Sequence, residues 1–250
     1  MNDFIEKCDL AYYSGYPIIS DEEYDALIAK YNLRSVGHTI TDGVPHAHKM
    51  YSLQKFFDLD DAPNYLEEGS NVVVTPKLDG AAVSLLYVNG HFALGLTRGD
   101  GNIGRDITDK MSMLVPEEIT TYGEVFITGE VVCPSDVPNS RNVASGSLGL
   151  KSIAEFALRP LTFVAYDVQS SEIDYSHYQT AMRLLANLGF NVVTTFDASL
   201  YPTDGKVYRA DDQKVFKRLG HTAHHPRGAF AFKERKEGVH TELLDVVWQI

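Results

Sequence analysis

A chain of 250 residues, 44% hydrophobic and 22% charged, can bury a full core, and its length fits one large domain or one with a small appendage. No apolar run approaches the ~20 residues of a membrane span, and the opening MNDFIEKCDL is not expected to act as a signal peptide because it lacks an apolar centre. The two cysteines, Cys8 and Cys133, stand far apart, which argues against a disulfide framework or a four-cysteine zinc site and favours a reducing compartment. A formal charge of −12, from 34 acidic and 22 basic residues, argues against a protein that coats nucleic acid but leaves room for a local basic groove.

Taken in chain order, the first segment reads as two helices. Phe4, Cys8 and Tyr12 share one face of the first, and Tyr24, Leu27, Ile28 and Tyr31 form the buried stripe of the second. Ser20 followed by Glu23 is a capping box that marks where the second begins. Residues 36–50 carry glycine, proline and histidine without a period and read as a connector. Strands follow at 71–75, 81–88 and 91–97, the last two joined by Asn89-Gly90, a type I′ hairpin signal. Further strands are expected at 125–132, 161–168 and 228–233. One helix starts at a Ser176/Gln179 capping box, buries Tyr178, Ala181, Met182 and Leu185, and ends at Gly189; a shorter one covers 212–219 and stops at Gly220. Strands in runs with segregated helices predict an α+β fold.

The centre of chemical interest is TPKLDGAAVSLLYVNG, in which Lys77 precedes Leu78-Asp79-Gly80 between two strands. A lysine held by rigid sheet can be a nucleophile if it is deprotonated, and attack at phosphorus needs cationic groups around the phosphate oxygens. Taken alone, KLDG is also what a surface lysine before an Asp-Gly turn looks like. Gly99, Gly101 and Gly104 spell GxGxxG, but a dinucleotide fold would need a second hydrophobic strand ending in an acid about twenty residues on, and MLVPEEITTYG reads as a loop.

A set of blocks running in order along nearly the whole chain resembles the NAD-dependent DNA ligases. KLDG resembles that family's KxDG, which makes Lys77 the adenylylated residue with Asp79 and Gly80 following. TRGDGNIGRDIT resembles TRGDGxxGEDxT and puts Arg98, Gly99, Asp100, Gly101 and Gly104 at the nucleotide pocket. ITGEVVCP assigns Glu130 to the ribose or to metal-bound water, and NSRNVASGSL nominates Arg141 and Asn142. FVAYDV resembles the strand whose aromatic stacks on adenine, hence Tyr166. TDGKVYR resembles DGxVxK at Asp204, Gly205 and Arg209, and HHPRGAFAFK resembles PRWAVAFK, whose lysine corresponds to Lys233.

The resemblance implies a catalytic set of Lys77, Asp79, Glu130 and Lys233, with NAD and magnesium as cofactors and no protein metal site. It also implies a helical subdomain over 1–35 that clasps nicotinamide mononucleotide through Tyr12, Tyr13, Asp21, Tyr24 and Asp25. Residues 51–250 then form a nucleotidyltransferase domain of antiparallel sheets with flanking helices, to which Ser52 and Leu53 of MYSLQKFFD add nucleotide contacts. The family continues into an OB-fold, a zinc finger and a helix-hairpin-helix region. Nick sealing is therefore expected to need a further polypeptide or C-terminal region, with nicked DNA as partner, in a cytoplasmic setting and away from membranes.

Departures from the family pattern are Tyr13 for a histidine, an interval to Asp21 one residue short, and Thr75 for a glutamate. Arg105 stands for an acid, Arg209 for a lysine, Gly149 for an arginine and Gly228 for a tryptophan. The alternatives are an ATP-using nucleotidyltransferase, a non-catalytic NAD- or AMP-binding subunit, and metal binding by His46 and His48 or by His221, His224 and His225.

Overall fold

A computed structural model of the chain describes residues 43–60, 62, 71–170, 173 and 175–233. The two expected N-terminal helices, with Tyr12, Tyr13, Asp21, Tyr24 and Asp25, lie outside the described residues. The elements begin with β1 (Val44–Pro45), β2 (Gln54–Phe56), β3 (Val72–Leu78), β4 (Ala81–Val88), β5 (His91–Thr97) and β6 (Ile103–Gly104). They continue with α1 (Thr108–Met111), β7 (Glu124–Val132), α2 (Ser140–Leu148), α3 (Ile153–Ala157), β8 (Thr162–Ser170), α4 (Tyr178–Asn187) and β9 (Asn191–Val192). The last are β10 (Thr203–Ala210), α5 (Gln213–Leu219) and β11 (Ala229–Phe232).

The strands sort into a five-stranded sheet of order β5-β4-β7-β8-β9, a four-stranded sheet of order β2-β11-β10-β3, and the small pair β1-β6. Pairing is antiparallel except for β8–β9 and β11–β2. This is the α+β architecture anticipated above.

Alternation along the five-stranded sheet separates core from cleft. Val83, Leu85 and Tyr87 of β4 and Val125, Ile127 and Val131 of β7 are fully buried. They join Met111, Leu148, Phe156, Met182 and Leu185 from the helices in one core cluster. Each such side chain contributes about 1.5–3 kcal/mol when fully buried. The intervening residues Glu124, Phe126, Thr128 and Glu130 face a cleft of about 2420 Å³ whose opposite wall is the four-stranded sheet.

Strands β3 and β4 are consecutive yet belong to different sheets, so Asp79-Gly80 is the corner between them. Gly80 is obligatory there, since a Cβ would lie 2.1 Å from the Val131 carbonyl oxygen. The Asp79 amide donates to the Pro202 carbonyl at 2.9 Å, tying the corner to the strand that follows as β10.

The Asn89-Gly90 hairpin forms as expected, with φ of 49° and 85°. The GxGxxG segment leads from a strand into β6 and the four-residue α1 within antiparallel sheets, which removes the dinucleotide-fold alternative. Part of the segment read as connector is woven into this loop: β1 pairs with β6, and the Met50 amide donates to Gly101 at 2.9 Å.

The helix at 178–187 corrects one expectation. Its N-cap is His177, with no side-chain cap bond, so the Ser176/Gln179 box does not form. Asp211, from beyond β10, does the work instead: its carboxylate accepts from the Gln179 amide at 3.0 Å and its carbonyl from the Tyr178 amide at 2.7 Å. Orphan amides at a helix start need an acceptor, and a buried aspartate from another segment supplies it. α5 ends at Gly220, φ 64°, as expected, and starts one residue later than expected because Asp212 is its N-cap, accepting from the Lys214 and Val215 amides.

Candidate active site

The β10 register slips between Thr203 and Lys206, so Asp204-Gly205 is a bulge. Bulges re-aim side chains, and Gly205, at φ 142° with no room for a Cβ beside the Phe232 carbonyl, makes this one possible. The consequence is chemical. Asp204 turns toward the cleft, where its Oδ1 lies 2.9 Å from Lys77 Nζ and its Oδ2 lies 2.6 Å from Lys233 Nζ.

β3, β10 and the residue just after β11 thus place two ammonium groups on one carboxylate, each side chain about a quarter exposed. Burial pushes the Asp204 carboxyl up, but hydrogen bonds from Lys233 and Lys77 outweigh it and hold the group below its ordinary range.

Opposite stands Glu130 on β7. Burial pushes its carboxyl up to about 7, against the pull of Lys77 and Arg98 and a hydrogen bond from the Gly80 backbone. Tyr166 lines the same wall, and burial, then the nearby Glu130, raises its phenol.

Arg98, at the end of β5, lines the cleft and is anchored by its amide to Ala82 at 3.0 Å. Arg141 on α2 is 66% exposed and reaches Asp79, Nε to Oδ1 at 3.2 Å. Asn142, Ser52 and Leu53 also line the cleft. Arg209 is only 8% exposed and is committed to Asp167, Nη2 to Oδ1 at 3.1 Å.

Within the glycine-rich block the structure separates lining from scaffolding. Thr97, Arg98, Gly99 and Arg105 line the cleft, whereas Asp100, Gly101 and Gly104 do not. Asp100 Oδ1 accepts from the Asn102 and Ile103 amides, both at 2.8 Å, and shapes the loop. Gly101 and Gly104 are required because a Cβ would lie 2.6 Å from the Met50 carbonyl oxygen at the first and 2.0 Å from the Thr97 carbonyl oxygen at the second.

The histidines do not form a ligand set: His46 Nε2 donates to the Arg98 carbonyl at 3.1 Å, and His225 Nδ1 to the Ser52 carbonyl at 3.1 Å. Among the described residues no three His, Cys, Asp or Glu side chains group to hold a metal ion.

The family model of the NAD-dependent DNA ligase adenylation domain matches residues 40–200. The chain belongs to this family. The DNA ligase of Paenarthrobacter aurescens (strain TC1) is 30% identical across 98% of this chain and 41% of its own length. DNA ligase 1 of Nocardia farcinica (strain IFM 10152) is 32% identical across 99% of this chain and 45% of its own. The chain therefore spans less than half the length of these curated relatives. Among solved structures, an archaeal ATP-dependent RNA ligase aligns at a TM-score of 0.45 and 14% identity, covering 84% of this chain and 61% of that one.

For an adenylation domain of this family, the residue under-valued by sequence reading is Asp204. It is visible as the first position of a DGxVxK-like block, but its bridging of Lys77 and Lys233 is not, because those lysines lie 127 and 29 residues away along the chain. Nothing along the chain shows what Asp167, inside the FVAYDV block, or Asp211 will pair with: each acts through a partner on another element.

Proposed function

We propose that this chain carries out the self-adenylylation step of an NAD-dependent DNA ligase. Lys77 Nζ attacks the adenylyl phosphorus of NAD, a P–N bond forms, and the P–O bond to nicotinamide mononucleotide breaks. The leaving phosphate takes the electron pair; Lys77 attacks as the free amine, and both its ammonium proton and the proton lost on forming the P–N bond pass to solvent water. The observation that carries this reading is the pair of lysines, Lys77 and Lys233, gathered on the single carboxylate of Asp204 at the sheet corner.

Asp204 orients Lys77 toward the cleft while Lys233 is free to exchange its carboxylate partner for a phosphate oxygen. Arg98 and Arg141 add positive charge along the path of the phosphates, where preorganised cations stabilise charge that develops in the transition state. Tyr166 offers a flat face to the base in a cleft that Val207 and Ala229 of the four-stranded sheet also line. Glu130 faces the ribose. Asp79, paired with Arg141, fixes the corner behind the nucleophile.

Magnesium belongs to this proposal only by resemblance. Of the cleft carboxylates, Asp204 is engaged by two lysines, Asp79 by Arg141 and Asp167 by Arg209, which leaves the β7 glutamates Glu124 and Glu130. Glu130, the one that feels the Lys77 charge, is the group on the five-stranded wall that could face an ion through water; a single such carboxylate does not make a protein-held site. Nicked DNA is the proposed acceptor of the AMP, with the remaining ligase parts supplied by a further region or polypeptide, in the cytoplasm.

Intact mass after incubation with magnesium and either NAD or ATP, beside Lys77→Ala, tests the reading. One AMP gained from NAD alone and lost in Lys77→Ala is the expected result. A gain from ATP would overturn the choice of substrate, and no gain at all would overturn catalysis.

A further inference from the structure

Arg209 is a cleft cation that the chemistry above leaves without a task, and it is buried among named partners. In β8 the register runs from Thr128 opposite Asp167 to Gly129 opposite Ala165, which leaves Tyr166 as a bulge. Both Tyr166 and Asp167 thereby line the cleft. Asp167 then meets Arg209 across the gap, although β8 and β10 belong to different sheets.

The guanidinium also packs against two aromatic rings. Its Cζ lies 4.3 Å from the Tyr178 ring centroid and 4.1 Å from that of Phe216. Phe216 has its place because residue 228 is glycine: a Cβ there would sit 2.5 Å from Phe216 Cδ2. Tyr178 in turn donates its hydroxyl to the Tyr166 carbonyl at 2.9 Å. Arg209 is thus joined to Tyr166 twice, through the side chain of the next residue and through the ring that holds its backbone.

A buried ion pair gains little net stability over an apolar replacement, so its value here lies in geometry. A lysine could match the charge but not a planar guanidinium's simultaneous contact with two rings and a carboxylate. We propose that Arg209 is a positioning residue: a clasp between the two sheets that sets where Tyr166 stands over the wall carrying Lys77. Through it the chain holds the base of the nucleotide without touching the reacting phosphate. This rests on the adenylylation reading for its functional consequence, while the clasp itself is testable without nucleotide.

The experiment uses the full chain with Arg209→Met, Arg209→Lys, Asp167→Asn and the Arg209→Met/Asp167→Asn double variant. Hydrogen exchange of the β8 amides is measured without ligand and compared with the β4 amides. For the single turnover of AMP transfer from NAD to Lys77, the half-saturating NAD concentration (KM) and the saturating rate constant (kcat) are then measured by intact mass over time.

Arg209→Met is expected to speed β8 exchange at least ten-fold more than β4 exchange. It is also expected to raise KM for NAD ten-fold or more, with kcat at saturation within three-fold. Asp167→Asn should do the same and the double variant no worse than either, because the two act as one unit. Arg209→Lys should recover only part of the loss. A fall in kcat with KM unchanged would make Arg209 a phosphate contact and overturn the clasp. So would a silent Asp167→Asn, or exchange that speeds equally in β4 and β8. If the unaltered chain takes no AMP from NAD, the proposed function fails, and the exchange comparison still decides the clasp.

Discussion

Replacing Asp204 with asparagine removes one negative charge from between two ammonium groups and changes almost nothing in shape. At the observed 2.9 and 2.6 Å, each attraction is about 6 kcal/mol at an effective dielectric of about 20. Most of that is offset by desolvation and by repulsion between the lysines. Removing one partner of a buried pair costs about 3–5 kcal/mol, and because all three side chains keep about a quarter of their surface, roughly 2–3 kcal/mol is the reasonable expectation here. Urea unfolding at low salt, with and without the substitution, measures it. The same variant should slow transfer of AMP to Lys77 at least a hundred-fold, since neither lysine keeps its orientation. The acid limb carries a sign as well. Asp204 ionises below its ordinary range when folded, so its contribution is present above that range and lost as pH falls through the folded value. A variant within about 0.5 kcal/mol of the parent, with an unchanged rate of transfer, would refute the view that this carboxylate organises the site.

Glu130 gives the opposite slope. Its carboxyl ionises near 7 when folded against an ordinary 4.5, so the fold is favoured below 4.5 and loses up to roughly 3 kcal/mol as pH rises through 7. Urea midpoints across that range should show the fall, and Glu130→Gln should flatten it. Gly80→Ala must displace the Val131 carbonyl, 2.1 Å from the new Cβ; a loss of at least about 3 kcal/mol in urea unfolding and no AMP transfer are expected. Asp212→Ala removes the acceptor of the Lys214 and Val215 amides; it should cost about 1 kcal/mol and leave AMP transfer at saturating NAD intact. Tyr166→Leu should weaken NAD binding by calorimetry about ten-fold or more through loss of base stacking, worth roughly 1–3 kcal/mol, while Tyr166→Phe should bind as the parent does.

Much of this protein is legible along the chain because the relevant forces are local. The alternation of β4, β5 and β7 fixes which side chains face the core, Asn89-Gly90 accepts positive φ, and Asp212 and Gly220 bound α5, all through neighbours a few residues apart. The ordered blocks around Lys77, Arg98, Glu130, Tyr166 and Lys233 nominate the site because each block carries its own pattern of glycines and charges. Tertiary structure alone decided the rest. β3 and β4 part into two sheets at Asp79-Gly80, and the need for glycine there comes from the Val131 carbonyl on β7, which no local pattern encodes. The start of α4 is capped not by its own serine but by Asp211, and Asp204, Asp167 and Arg209 find their partners only when distant strands are bulged and stacked. The physical reason is common to all of them. A backbone amide or a buried charge must be satisfied by whichever group the packed chain brings within about 3 Å, and sequence separation places no limit on which group that is.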